Sequence, residues 1–113
     1  MSALLVRTIG FSRLPAKVQA KIMSFALKWF RVSGKVDMVV FYPHRVDTHP
    51  EDDGRTVVTH VEGLTTKVFA IKEDLGDPEK WEELYHEEDV KVLRNSLPPG
   101  TRYVITFMLA DEY

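Results

Sequence analysis

The chain is 113 residues long, with 44% hydrophobic and 28% charged residues, a composition that is ordinary for one globular domain. It contains no cysteine, which excludes disulfides and cysteine-ligated metals. The net charge of −2 hides a division: residues 1–36 carry seven basic and no acidic side chains, whereas residues 37–113 carry eight basic and seventeen acidic ones. This division predicts electrostatic docking within the chain, between copies, or with a partner.

The chain shows no segment typical of a membrane span or an export signal. No apolar run approaches the roughly 18 residues that a spanning helix needs. The N-terminal residues have too short an apolar stretch for a secretory signal and no basic segment before it. We therefore expect no membrane span, and we expect the chain to be made and folded in the cytoplasm with nothing cleaved.

The first part of the chain predicts a short strand and one amphipathic helix. Residues 3–10 are apolar and β-leaning, as in a short strand or an arm lying on a neighbour. Residues 14–30 have helical periodicity, and Gly34 ends the pattern. The apolar stripe of this helix includes Val18, Ile22, Phe25 and Trp29. The opposite side is basic and is a predicted interface, formed by Lys17, Lys21, Lys28 and Arg31.

The basic side of this helix would also suit an anionic membrane surface or nucleic acid. The apolar stripe is broad, however, and a core helix with a solvated lysine face explains it better. We therefore expect no nucleic-acid partner.

The next segment predicts a strand and then a long polar loop. Residues 36–42 are β-branched and aromatic, and Pro43 ends the strand. Residues 44–55 are predicted to form a mobile loop, which carries possible metal ligands without the tight spacing of a metal motif. These ligands are His44, Asp47, His49, Glu51, Asp52 and Asp53. A solvated loop is the simpler interpretation, so we expect no metal and no other cofactor.

Residues 56–107 predict a compact βααβ unit, of which the first half is a strand and a short helix. Residues 57–61 alternate as a strand should. A turn at Gly63 follows, and either Thr65 or Thr66 can supply an N-cap oxygen. The apolar residues that follow fit a short helix packed on a small sheet, and they are Val68, Phe69 and Ile71.

The second half of the unit predicts another helix and a closing strand. Asp77 is a candidate N-cap, and Pro78 suits the first helical position. The inner face of this helix is Trp81, Leu84 and Tyr85. A Pro-Pro-Gly turn at residues 98–100 then leads to a half-buried strand over residues 103–107.

This order of elements resembles the LysM module, and most of all the LysM-like domains of phage-tail baseplates and contractile injection machines. The motif GDPEKW at residues 76–81 is the most specific part of the resemblance, and PPGT at residues 98–101 adds to it. The chain departs from the family at Leu64, where an Asp is usual, and in lacking the Asn that normally follows the second helix.

The resemblance covers residues 56–107 and implies an α+β fold. In this interpretation, residues 1–55 form an N-terminal amphipathic helix, a strand and a polar loop. Residues 56–113 form a LysM-like βααβ unit with a small antiparallel sheet and a short acidic tail. The strand over residues 36–42 is expected to extend that sheet, and the helix over residues 14–30 is expected to cover it.

Glycan-binding members of the family hold N-acetylglucosamine polymers in a groove between the first-strand turn and the loop before the last strand. The resemblance therefore implies a groove lined by Gly63, Leu64, Thr65, Val90, Leu97 and Pro98. The two departures remove polar groups where sugar contacts are expected. Acidic side chains nearby also disfavour anionic peptidoglycan, and we assign them to the predicted interface instead: Glu87, Glu88 and Asp89.

The resemblance favours a structural role, as a component of a phage tail baseplate or a related injection particle with other tail proteins as partners. The alternative is a module that binds peptidoglycan or chitin, and a third possibility is a small inhibitory or regulatory protein. Catalysis is not expected. His86 lies beside carboxylates in the sequence, but no Ser, Cys or Lys stands out as a nucleophile.

Overall fold

Segments rich in β-branched and aromatic residues form most of the strands of one mixed sheet in the computed structural model, which describes residues 3–113. The six strands are β1 (Ala3–Arg7), β2 (Met38–Tyr42), β3 (His49–Pro50), β4 (Thr56–His60), β5 (Val68–Asp74) and β6 (Tyr103–Leu109). Their spatial order is β1-β6-β5-β2-β4-β3. The pairs β1–β6 and β2–β4 are parallel, and the remaining pairs are antiparallel.

Among residues 3–113, four α-helices and two short 3₁₀ segments complete the fold. The helices are α1 (Ile9–Ser12), α2 (Ala16–Val32), α3 (Trp81–Leu84) and α4 (Glu87–Ser96), and the 3₁₀ segments are Pro78–Lys80 and Ala110–Glu112. The long helix α2 confirms the helix predicted from the apolar stripe. It connects β1 to β2 and crosses the sheet between them.

The main hydrophobic core lies between α2 and one face of the sheet, which we call the core face. Its side chains are buried: Val39, Phe41, Val57, Val68, Ala70, Ile105 and Phe107. The helices supply the other half of the core with Phe11, Val18, Ile22, Ala26 and Phe30. The fully buried ring of Phe11 packs against that of Phe107 at a centroid distance of 5.5 Å.

The polar segment after β2 contains an edge strand. Parallel neighbours such as β2 and β4 need a crossover connection. Here residues 43–55 pass beyond β4, and β3 returns along its outer edge, antiparallel to it. The turn back into β4 is fixed by Asp53, whose carboxylate accepts hydrogen bonds from the backbone N–H groups of Arg55 and Thr56.

A helical insert, residues 75–102, joins the antiparallel neighbours β5 and β6. The side chain of Asp77 caps the first turn, as predicted, by accepting from the N–H of Glu79. The indole of Trp81 is buried and donates to the carbonyl of Leu75 at 3.1 Å. The hydroxyl of Tyr85 donates to the same carbonyl at 2.9 Å. These bonds hold the insert against the end of β5.

The fold is α+β, but the prediction of a LysM-like βααβ unit with a small antiparallel sheet is wrong. The two strands expected to pair in that unit are β4 and β6, yet β2 and β5 lie between them. The expected first helix of the unit is the strand β5. Segments 1–55 and 56–113 both contribute strands to the same six-stranded sheet.

The physical reason for the wrong helix lies in the composition of β5. A short apolar run does not distinguish a strand from a helix by its period when both of its faces are apolar. Val68 and Ala70 face the core, while Phe69 and Ile71 lie on the other side of the strand. The alternation that marks a half-buried strand is therefore missing.

We predict that Leu64→Ala destabilises the protein by about 2–5 kcal/mol, because Leu64 is 5% exposed and belongs to the main core. The matched substitution Leu84→Ala, at a site that is 58% exposed, should cost less than about 1 kcal/mol. Urea denaturation followed by far-UV circular dichroism measures both. Equal losses for the two variants would contradict the assignment of Leu64 to the core.

Candidate functional site

The second face of the sheet is apolar, and we call it the open face. Its apolar side chains come from five strands: Leu4, Val6, Met38, Val40, Tyr42, Val58, Phe69, Ile71, Val104 and Met108. Two of them, Val40 and Val58, are buried, at 7% and 5% exposure, and the other eight are half-buried.

Within residues 3–113, the helix layer lies on the other side of the sheet. The helix residues in the main core all come from α1 and α2, and Val40 and Val58 stand outside that core. The insert packs mainly on itself, with α3 contacting α4 and the preceding 3₁₀ turn. The open face thus lacks the cover that α2 gives the core face.

The size of the open face follows from strand geometry. Five strands at about 4.8 Å spacing, with about 20 Å of strand length, make a surface of about 500 Å². This footprint also includes the polar residues Thr56, His60, Glu73 and Thr106, so its apolar part is smaller. Apolar patches of a few hundred Å² on monomeric proteins are often functional.

An aromatic row crosses one end of the open face. Lys67 Nζ lies 5.1 Å from the ring centroid of Tyr42 and 5.3 Å from that of Phe69. The ring of Tyr113 meets Phe69 edge-on at a centroid distance of 5.5 Å. Because Tyr113 is itself 80% exposed, it extends the apolar surface without covering it.

The carboxylate of Glu112 anchors the C-terminal segment beside the open face. It accepts hydrogen bonds from the hydroxyl of Thr8 at 2.6 Å, from the N–H of Leu109 at 2.8 Å and from the N–H of Gly10 at 3.0 Å. The hydroxyl of Thr8 and these backbone donors lower the pKa of the Glu112 carboxyl. This anchor joins β1, α1 and the end of β6.

A charged cleft of about 1030 Å³ lies at the insert end of the sheet. Its lining carries both signs of charge, with the cations Arg31, Lys35, Arg55 and Lys72 and the anions Asp37, Asp53, Glu73 and Asp74. The lining residues include no histidine, serine, threonine or cysteine.

The charges of the cleft are largely used in holding the fold together. Arg55 contacts Asp37 at 2.8 Å, linking the turn before β4 to the start of β2. Arg102 contacts Asp74 at 2.9 Å, and this guanidinium lowers the pKa of the Asp74 carboxyl. Lys72 Nζ lies between aromatic rings, 5.4 Å from the centroid of Phe30. These contacts connect β5 to β6 and to α2, so the charges of the cleft mainly stabilise the fold. The open face is therefore the candidate site.

The structure does not bring the predicted groove residues together. Gly63, Leu64 and Thr65 precede β5, whereas the other three lie in the insert after it, at Val90, Leu97 and Pro98. The seven residues of β5 separate the two sets by about 20 Å. Leu64 and Val90 are also buried, at 5% and 6% exposure.

The predicted interface residues are all exposed, but on two different elements. Lys17, Lys21, Lys28 and Arg31 lie on α2, and Glu87, Glu88 and Asp89 form the first turn of α4. Three ion pairs form among residues 3–113, between Arg55 and Asp37, Arg94 and Glu82, and Arg102 and Asp74. None of the three uses a basic residue of segment 1–36, so ion pairing does not join the two charged segments within the described chain.

Two further features bear on the site. No group of three or more His, Cys, Asp or Glu side chains able to hold a metal occurs in the described part of the chain, residues 3–113. Over the same residues, no helix combines the length and the apolar character required to cross a membrane.

No protein-family model matches the sequence, and neither the curated proteins nor the solved structures include a significant match to it.

Sequence reasoning missed the open face, although the sequence contains a signal for it. Strands with one solvated face alternate apolar and polar residues, whereas strands covered on both faces read as continuous apolar runs. Such runs occur in the adjacent strands β2 and β5, as MVVFY and VFAI. These runs show that both faces are apolar, but only the structure shows which face the helix covers.

We predict that acid destabilises the protein partly through Glu112. The pKa of its carboxyl is lower in the folded chain than the ordinary value of 4.5, so the unfolded chain takes up the proton first. The free energy of unfolding should therefore decrease as the pH falls below about 4.5 and onward through the lower folded value. Thermal melts of Glu112→Gln should show a lower Tm than the parent at pH 7 and a smaller difference at acidic pH.

The neighbouring substitution Asp111→Asn is the matched control for this measurement. Its side chain is exposed and has no hydrogen bond in the structure, so its melts should follow those of the parent at each pH. A Glu112→Gln variant that melts like the parent at pH 7 would contradict the role of the anchor.

Proposed function

We propose that this protein is a non-catalytic structural component. It docks onto the surface of another protein molecule through its open face. The observation that supports the proposal is the unequal cover of the sheet. The core face is closed by α2, while the ten apolar side chains of the opposite face neither belong to the main core nor pack against it within residues 3–113. Covering that face removes apolar surface from water, which favours association.

The composition of the strands supports a face that is covered in the working state. Val39 and Val40 are adjacent in β2, and Val57 and Val58 are adjacent in β4. In each pair one valine faces α2 and the other faces away from it. A sheet whose outer face worked in water would more often carry polar residues there.

The charge distribution supports docking over catalysis. In the charged cleft, Arg55 pairs with Asp37, and Asp74 pairs with Arg102 outside the lining, so these charges hold adjacent elements together. The basic side of α2 and the acidic start of α4 remain available for further electrostatic contacts. Such exposed charges guide encounter and orientation more than they add affinity.

The open face supports docking to protein, but it does not indicate which kind of assembly the chain joins. The resemblance to tail-baseplate proteins depended on a βααβ unit that the fold does not contain. A phage tail or related injection particle therefore stays a prediction from the sequence. The assembly role itself rests on the open face.

The test is whether polar substitutions on the open face release the chain from its particle. We expect the native chain to be present in purified tail or injection particles at a fixed number of copies, measured by quantitative mass spectrometry. The double variant Ile71→Thr with Val104→Thr keeps β-branched side chains but makes two adjacent strands of the open face more polar. Its occupancy should fall by about tenfold or more.

The matched control carries the same two kinds of substitution away from the open face. Ile9→Thr with Val92→Thr changes side chains that are 73% and 62% exposed on α1 and α4. The control should be incorporated like the native chain. Equal incorporation of both double variants would contradict the open face as the docking surface, and a native chain found only free beside intact particles would contradict the predicted particle.

A further inference from the structure

We infer that the surface covering the open face is the open face of a second copy, in a two-fold symmetric dimer whose sheets stack face to face. This inference rests on the proposed docking role of the open face and names its first partner. The arrangement is a β-sandwich made by two chains, with an α2 helix on each outer side.

The positions of two charges make the open face complementary to itself. Lys67 directly precedes β5, and its ammonium lies over the open-face rings of Tyr42 and Phe69. Glu73 lies near the other end of β5 and pairs with the open-face residue Val104. In residues 3–113 neither Lys67 nor Glu73 belongs to an ion pair. One strand therefore carries opposite charges at its two ends, with apolar residues between them.

A two-fold axis uses this pattern directly. If the axis lies between the stacked sheets, perpendicular to the strands and level with Ala70, each β5 lies antiparallel over its copy. Residues three positions on either side of Ala70 then face each other, so Lys67 of each chain meets Glu73 of the other. Phe69 and Ile71, one position on either side, meet in the same way. The same arrangement therefore forms both Lys67–Glu73 contacts and both Phe69–Ile71 contacts.

The area of the open face is sufficient for such a dimer. Two faces of about 500 Å² together cover about 1,000 Å², which reaches the lower range of specific interfaces. The outer rim would bring additional area from Tyr113, which extends beyond Phe69 and is 80% exposed. The lateral order of strands is preserved by this axis, so β6 lies over β6 and β2 over β2. The apolar strands of one copy therefore lie on those of the other.

The test is a charge reversal measured by sedimentation equilibrium of the purified full chain between about 1 and 100 μM. The native chain should dimerise with a Kd below about 10 μM. Lys67→Glu places like charges at both symmetric contacts and should raise the Kd about tenfold or more, and Glu73→Lys should do the same. The double variant Lys67→Glu with Glu73→Lys restores opposite charges and should return the Kd to within about threefold of the native value.

Lys17→Glu is the control, because it reverses an exposed charge on α2, away from the open face. It should leave the Kd unchanged, and circular dichroism should show native folding for every variant used. A monomer at 100 μM would overturn the dimer. So would a dimer that Lys17→Glu weakens while the Lys67 and Glu73 reversals do not, since the contact would then use the basic side of α2.

The results separate this inference from the proposed function. A chain that is monomeric in solution, yet still lost from particles when Ile71 and Val104 are made polar, overturns the dimer and keeps the docking role. A chain that dimerises and passes the double-reversal test, but whose open-face variants still enter particles, keeps the dimer and overturns docking of the open face to the particle.

Discussion

The packing of one helix on one side of the sheet is the constraint on which the rest of this structure depends. The 17 residues of α2 make a cylinder about 25 Å long and about 10 Å wide, enough to cover one face of the central strands. Its stripe of Val18, Ile22, Ala26 and Phe30 closes the core against β2, β5 and β6. The second face of the same strands is equally apolar, and no second long helix exists among residues 3–113 to cover it. One face of the sheet is covered and the other is not, because residues 3–113 contain one long helix for two apolar faces.

Local signals in the sequence predicted those elements that local interactions determine. The stripe of α2 repeats at helical spacing, and the structure places the helix at Ala16–Val32. Asp77 was identifiable as a cap because a carboxylate before Pro78 satisfies free N–H groups at a helix start. The strand β6 was identifiable from its alternation, with Ile105 and Phe107 buried between half-buried neighbours. In each case the residues that determine the structure lie within a few positions of one another.

The arrangement of the sheet depends on contacts that no local pattern contains. The parallel pairing of Ala3 with Tyr103 joins residues one hundred positions apart, and it places β1 at the edge beside β6. The order of elements between residues 56 and 107 suggested that the first and last strands pair, but β2 enters between them from an earlier part of the chain. The open face could not be predicted for the same reason. Whether Val40 or Val39 meets α2 depends on the pairing of all the central strands.

In the proposed dimer, the charge division would have a physical role. In a dimer closed by the open faces, the two α2 helices lie on the outer layers with their basic sides outward. The two inserts lie at opposite ends, because the strands run in opposite directions. Residues 75–102 carry seven acidic and four basic side chains, so each end is acidic. The basic outer layer of one dimer is complementary to the acidic end of another dimer, whereas the layers and ends of the same dimer do not face each other. A contact between two different surfaces is heterologous, and such contacts build rings or open arrays. Apolar burial would then form the unit, and charge would orient one unit on the next.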